Sequence, residues 1–225
     1  MIAHASARKS LAAAFVFVAL ATTASAQFKL ESSTTPPPQE LAAPIRDALG
    51  SGALHVAGPS GPLCDIWLRK SVPTAATPDT SLGVNFGQIP QGALVGAVKL
   101  DAKNNDYRNQ PTQPGVYTLR FMFQPVDGNH QGVSPYRDYL LAVPSALDIS
   151  AADMPTADLL KASRKAAATG HPSVWSLVPA DTAPATLPAI AHQDDGDLWI
   201  AFFQAPLAKP VKMGLVVSGH AAEPE

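Results

Sequence analysis

The stretch FQPVDGNHQGVSPYRDY, residues 123–139, gathers several side chains capable of chemistry into one short connection. A carboxylate, an imidazole and a guanidinium could support acid–base catalysis, with Asp127, His130 and Arg137 as the working groups. The same connection could instead bind a ligand through its polar side chains. The candidate binding residues are Asp127, Asn129, His130, Tyr136 and Arg137.

The same composition also predicts an architectural turn over residues 124–137. Asp127 can accept an amide hydrogen bond in an Asx turn, and Gly128 allows a left-handed backbone conformation. Arg137 can pair with Asp127 or with Asp138 at the start of the next strand. Because acids in turns are more often solvated caps than catalysts, the sequence favours the architectural turn. The binding or catalytic site remains the alternative.

Strands must position this connection, since apolar and β-branched runs recur between turn signals along a chain with 22 prolines and 15 glycines. The runs are ALHVA, CDIWLRK, LGVNFGQI, ALVGAVKL, GVYTLRFMFQPV, RDYLLAV, SVWSLV, DLWIAFFQA and VKMGLVVSG. About nine strand candidates at this spacing predict an all-β fold, an antiparallel β-sandwich. We expect a single domain over residues 45–225.

The run VYTLRFMF shows the alternation expected of a strand. Tyr117, Leu119, Phe121 and Phe123 fall on one face, which we expect to be buried. The other face, with Thr118, Arg120 and Met122, is mixed in polarity.

One stretch, DMPTADLLKASRKAAATGHP, has the pattern of a helix. Thr156 can cap its N-terminus, Arg164 suits the last turn, and Gly170 followed by Pro172 can stop it. The sequence therefore predicts a single short helix near residues 156–168, packed on or beside the sandwich.

The segment QPGVYTLRF resembles a strand start found in exported β-sandwich modules of the transthyretin-like and carboxypeptidase-regulatory kind. The match consists of Pro114, Gly115, Tyr117 and Leu119. Together with TGHPSVWSLVP, the segment GVYTLRFMFQPVDGNHQGVSPYRDYLL resembles a group of uncharacterised exported bacterial proteins. The resemblance implies an exported β-sandwich and no particular activity.

The first 26 residues have the three regions of a secretory signal peptide. Arg8 and Lys9 precede the apolar run LAAAFVFVAL, and Ala24 and Ala26 give the small-x-small pattern for cleavage before Gln27. We therefore expect a periplasmic or secreted protein. Residues 27–44, rich in proline, serine and threonine, are interpreted as a tether or an extended arm.

Membrane attachment is not expected. No segment after the signal peptide approaches the roughly 20 apolar residues of a spanning helix. A lipid anchor would need a cysteine directly after the signal peptide, whereas the chain has one cysteine, Cys64, far downstream. Cys64 is expected to be a small core residue on a strand. With Arg8 and Lys9 removed, 14 basic residues face 18 acidic ones, so the charge does not favour nucleic acid.

Local catalytic and metal-binding motifs are not found. Ser60 lies in GPSGP, where proline replaces the second glycine of a serine hydrolase elbow. The histidines are not spaced as close metal ligands, so no metal or other cofactor is expected.

Residues 192–199, HQDDGDLW, could bind calcium through alternate carboxylates but lack a distal glutamate, and a hairpin turn is the favoured interpretation. Asp127 and Asp138 form the acid pair that we nominate for glycoside hydrolysis.

These observations favour an exported, non-enzymatic β-sandwich protein that acts as a binding or structural module. Its partner would be another protein, a surface polymer or a small ligand. The alternative is an exported hydrolase or metal-binding protein with its site around Asp127, His130 and Arg137.

Overall fold

The computed structural model describes residues 27–125, 134 and 136–221. In chain order the elements are β1 (Lys29–Ser33), α1 (Ala43–Ala48), β2 (Ala53–Gly58), β3 (Gly61–Leu68), β4 (Leu94–Leu100), β5 (Asn104–Asn105), β6 (Pro111–Thr112), β7 (Gly115–Phe123), β8 (Asp138–Pro144), α2 (Thr156–Ser163), β9 (Ser173–Pro179), β10 (Ala189–Gln193), β11 (Leu198–Ala205) and β12 (Val211–Ser218). The predicted all-β class is confirmed.

Ten strands form one sheet in the order β1-β2-β3-β4-β7-β8-β9-β12-β11-β10, and β5 pairs with β6 separately. Every pairing in the large sheet is antiparallel. The sheet curls until its edge strands β1 and β10 come into contact. Phe28, just before β1, stacks on Trp199 of β11 with ring centroids 4.7 Å apart. The two layers expected of a sandwich are thus opposite walls of one nearly closed sheet.

The inner face of the sheet carries the main apolar core. Tyr117, Leu119, Phe121 and Phe123 all contribute to it, as the alternation in β7 predicted. Cys64, on β3, is fully buried in the same core, which confirms its expected role. Burying this face supplies the dominant driving force for a fold without disulfides.

The outer face of β7, with Thr118, Arg120 and Met122, is mixed in polarity as expected and yet is also buried. The chain after β8 covers it. Arg120 donates from Nε and Nη2 to the two oxygens of Asp148, at 2.6 and 2.8 Å. Its remaining N–H groups donate to the carbonyl oxygens of Gly92, Ala152 and Ser150. Every donor of this buried guanidinium therefore has an acceptor.

Helix α2 packs on the outer face of β8. Leu159 is fully buried there against Met122, Leu141 and Val143. The helix predicted near 156–168 exists but ends at Ser163. It ends early because the following residues turn toward β6, where a β-bridge joins Ala167 to Thr112.

Two details of the helix prediction are wrong. Pro155, rather than Thr156, occupies the N-cap, and no side-chain oxygen caps the helix. The helix is also not the only one, since α1 forms a short second helix with Pro44 in its first turn, where the missing N–H costs no hydrogen bond. Ile45 of α1 is fully buried.

One predicted strand, LGVNFGQI, is wrong. Residues 82–89 form successive turns, and Gly83 adopts a left-handed conformation with φ of 79°. The N–H groups of Asn85 and Phe86 donate to the carboxylate of Asp138, at 2.9 and 3.0 Å. Because a side chain satisfies these amides, the segment can be buried in part without a strand partner.

The segment 27–44, interpreted from sequence as a tether or extended arm, lies against the domain. Its strand β1 pairs with β2 over its whole length. Trp67 Nε1 donates to the carbonyl oxygen of Thr35 at 2.8 Å, and Leu41 packs beside Ile45. The sheet therefore begins before Ile45, where we expected the domain to start.

Candidate ligand-binding pocket

The residues singled out by sequence fall in two groups. Asp127, Asn129 and His130 lie outside the described residues. Tyr136 and Arg137 are described, and each has structural partners. Tyr136 is half-buried against the apolar cluster that includes Tyr107 and Tyr139. In the described part of the connection, Tyr136 thus packs against the sheet.

Arg137 and Asp138 fasten the turns of residues 79–87 to the sheet. The guanidinium of Arg137 donates to the carbonyl oxygens of Gln124 and Leu82 and to the hydroxyl of Ser81. Asp138 is fully buried and accepts hydrogen bonds from Asn85 and Phe86. Burial raises the pKa of Asp138, although the donated hydrogen bonds oppose the shift. The structure therefore uses Asp138, one of the two acids nominated for glycoside hydrolysis, as an anchor for this loop.

The structure instead shows a cavity of about 480 Å³ between α2 and the outer face of the sheet. Its apolar floor consists of Met122, Leu141, Leu160 and Val174, from β7, β8, α2 and β9. Leu141 and Val174 are direct cross-strand neighbours, so their side chains lie on the same face of the sheet. The volume falls in the range typical of small-molecule sites.

Tyr139 lines the same cavity beside the floor. Its hydroxyl donates to Gln124 Oε1 at 3.1 Å. Burial raises the pKa of Tyr139 to about 12, so the phenol stays protonated at ordinary pH. Together the two side chains form a polar wall beside the apolar floor.

Three basic residues, Arg108, Arg164 and His171, line the cavity as well and form what we call the basic rim. Arg108 follows β5, Arg164 directly follows α2, and His171 lies in the connection to β9. All three are exposed. In the part of the chain that the structure describes, their side chains make no ion pair and no hydrogen bond.

A buried carboxylate fixes the backbone of the turn that carries Arg108. Asp106 is 1% exposed and accepts the backbone N–H of Arg108, at 2.9 Å, in an Asx-type turn. It also accepts the backbone N–H groups of Gln110 and Val174, both at 2.9 Å. Burial raises the pKa of Asp106, and these hydrogen bonds oppose that shift. The turn that carries Arg108 is therefore anchored directly to β9.

Gln110 joins the two loops that bear the basic rim. Its Nε2 donates to Asp106 Oδ2 at 2.9 Å and to the carbonyl oxygen of Pro172 at 3.1 Å. Its Oε1 accepts a hydrogen bond from Thr169. The connection between α2 and β9 is thus fixed to the turn that follows β5, which places His171 near Arg108.

The chemistry of the pocket follows from its lining. Among the described residues that line it, none is an aspartate, glutamate, serine or cysteine. The described part of the chain also holds no group of three histidine, cysteine or carboxylate side chains suited to a metal ion. Cys64 lies in the core, where burial raises the pKa of its thiol. The described lining therefore offers apolar contacts together with the polar side chains of Gln124, Tyr139 and the basic rim.

The acidic stretch 192–199 contains the hairpin turn between β10 and β11. Gly196 and Asp197 have left-handed φ values of 79° and 48°. His192 faces two carboxylates, with Nε2 2.7 Å from Asp197 Oδ1 and Nδ1 3.2 Å from Asp194 Oδ1. Asp194 and Asp197, two of the carboxylates considered for calcium, thus lie beside the imidazole, in the hairpin that the sequence favours.

Sequence patterns missed the basic rim. Arg164 was interpreted only as a residue of the helix's last turn, and no function was assigned to Arg108 or His171. Arg108 lies in the turn between β5 and β6, whereas Arg164 and His171 lie in the connection between α2 and β9. Strand pairing and the hydrogen bonds of Asp106 and Gln110 bring the two segments together. The nearest local signal is the turn NDYRNQP, whose acid can anchor the backbone of the arginine two residues later.

No protein-family model, curated protein or solved structure matches the chain. The resemblance to exported β-sandwich proteins therefore stays a prediction. Among the described residues, no helix combines the length and apolar character needed to cross a membrane.

Proposed function

We propose that this is an exported, non-enzymatic protein that binds a small ligand with an apolar body in the pocket between α2 and the sheet. The observation that carries the proposal is the cavity of about 480 Å³, with its apolar floor and few polar groups. Concave sites of this size and character are typical of small-molecule binding.

A small ligand is favoured over a protein or polymer partner because the apolar surface is concave. The large hydrophobic residues that are exposed in the described ranges are few, namely Leu82, Leu147 and Ile149. Isolated residues of this kind are normal on a protein surface. The floor of the pocket, in contrast, groups apolar side chains from four elements.

Export is supported by the sequence of residues 1–26, which lie outside the described residues. Intact-mass measurement on protein recovered from the cell exterior or periplasm should give a chain beginning at Gln27. A retained segment before Gln27 would contradict export through this signal peptide.

Binding can be tested with the neutral, apolar fluorophore N-phenylnaphthylamine. Its fluorescence should rise when it enters the pocket of the purified protein. Leu160→Trp, which fills the cavity from α2, should weaken binding about tenfold or more because the probe loses its space. Leu147→Trp is the matched control, since Leu147 is 50% exposed and does not line the cavity.

The proposal fails if the probe does not bind, or if it binds equally well to both tryptophan variants. Thermal unfolding of each variant shows whether it is folded. A second pocket variant, Val174→Phe, approaches the cavity from the sheet and should reproduce the effect of Leu160→Trp.

A further inference from the structure

We infer that the ligand is an amphipathic anion: a small organic acid whose apolar body lies on the floor and whose carboxylate is held by Arg108 and Arg164. This inference rests on the proposed function of the pocket. It adds the chemical class of the ligand, which no motif of the sequence assigns.

The first argument is the division of the pocket into two chemically different parts. The floor of Met122, Leu141, Leu160 and Val174 offers only apolar contacts. The basic rim offers positive charge at the same cavity. A ligand that satisfies both parts must have an apolar body and a negatively charged group.

The second argument is the charge balance at the site. The whole chain has a formal net charge of −2, yet the described residues that line the cavity include two arginines and a histidine and no acid. The guanidinium groups of Arg108 and Arg164 have no acidic partner within the described residues. A chain of net negative charge thus places two arginines and a histidine, and no acid, among the described residues that line an apolar cavity.

The third argument is the fixed position of the rim. The Asp106 carboxylate anchors the turn of Arg108, and Gln110 joins that turn to the chain at Pro172. Arg164 is held by the end of α2, where its N–H donates to the carbonyl oxygen of Leu160 at 3.2 Å. Anchored backbones reduce the ordering cost of binding, and the planar guanidinium suits bidentate contact with a carboxylate.

The test compares three ligands that share one ten-carbon chain and differ in the head group: decanoate, decanol and decyltrimethylammonium. Each is titrated against the fluorophore-loaded protein at a concentration below its micellar range. We expect decanoate to displace the fluorophore at about tenfold lower concentration than decanol, because a charge-assisted contact adds to the same apolar contacts. The cationic ligand should bind more weakly than decanol.

The variants Arg108→Gln and Arg164→Gln should each weaken decanoate binding several-fold, and the double variant should bind decanoate and decanol alike. Lys165→Gln is the charge-matched control, because Lys165 is exposed beside Arg164 but does not line the cavity. Neither arginine side chain has a partner in the described structure, so these variants should fold normally.

Each outcome decides between the two proposals. If decanoate and decanol bind equally, and the arginine variants change neither, the anionic class is wrong while the pocket remains a binding site. If none of the three ligands displaces the fluorophore and the fluorophore itself does not bind, both proposals fail. A preference for decanoate that survives in the double variant would also overturn the assignment of the two arginines.

Discussion

The outer face of β7 and β8 is covered in two places, and the two coverings treat arginine in opposite ways. Under residues 145–155, Arg120 is fully buried and gives every side-chain N–H to an acceptor, two of them to Asp148 and three to backbone carbonyl oxygens. At the edge of α2, Arg108 and Arg164 remain exposed beside an apolar cavity. The donors of the buried arginine are all used within the fold, whereas those of the exposed arginines at the cavity are available to a ligand.

The Arg120–Asp148 pair should show the largest effect on stability. Arg120→Met leaves the carboxylate of Asp148 buried without its partner, so we expect a loss of about 3–5 kcal/mol in the free energy of unfolding. Urea unfolding followed by tryptophan fluorescence measures it. Combining the change with Asp148→Leu should recover much of the loss, since no buried charge is then left unpaired. A loss below about 1 kcal/mol would mean that the pair is more hydrated than the structure indicates.

The second largest effect should come from the contact between α2 and the sheet. Leu159 is fully buried, so Leu159→Ala should cost about 3 kcal/mol of unfolding free energy. Leu160→Ala is the matched control, because this neighbour is half-buried and should cost only about 1 kcal/mol. If the two variants are equally stable, the helix does not pack through Leu159 as described.

Asp106 should matter for both the fold and the rim. Asp106→Ala removes the acceptor of several buried N–H groups, and we expect a loss of about 2 kcal/mol in stability. Because the turn of Arg108 loses its anchor, binding of decanoate should weaken more than binding of decanol. Asp106→Asn, which keeps one oxygen acceptor, should recover part of both losses. Equal weakening of the two ligands would show that Asp106 supports the pocket in general and does not position the arginine.

The rim arginines should give the smallest effect on stability. Arg108→Gln and Arg164→Gln remove side chains that have no partner in the described structure, so each should change the unfolding free energy by less than about 0.5 kcal/mol. The same urea titration used for Arg120→Met measures this. A loss comparable with that of Arg120→Met would break the distinction between the two classes of arginine.

The strands can be predicted from the sequence more reliably than the loops and the pocket beside them. The alternation in β7 correctly placed Tyr117, Leu119, Phe121 and Phe123 on one buried face. The run at 82–89 resembles a strand in sequence because it contains several apolar residues. In the structure, however, the side chains of Arg137 and Asp138 make the hydrogen bonds to its backbone that a neighbouring strand would make. Apolar content alone does not show which group accepts a backbone hydrogen bond.

The pocket is harder to predict because its residues become neighbours only through the sheet. Arg137 and Asp138 lie beside a cluster of polar residues in the sequence, yet in the described structure both side chains hold a loop through hydrogen bonds. Arg108 and Arg164 stand in unremarkable turns, and strand pairing and the Asp106 anchor bring them to one cavity. Local composition identifies polar side chains, but it does not show which of them form hydrogen bonds within the folded protein.

The contact between β1 and β10 also bears on how far the edges of the sheet are open to another molecule. An open sheet edge offers unpaired N–H and C=O groups that can recruit a strand from another molecule. Here the two edges of the sheet face each other, and the stacking of Phe28 on Trp199 closes the approach between them. Exposed Lys29 and Glu31 add charge along β1. Loss of the segment that carries Phe28 and β1 would uncover β2 and leave two free edges, so a chain trimmed there should aggregate more readily than the intact one.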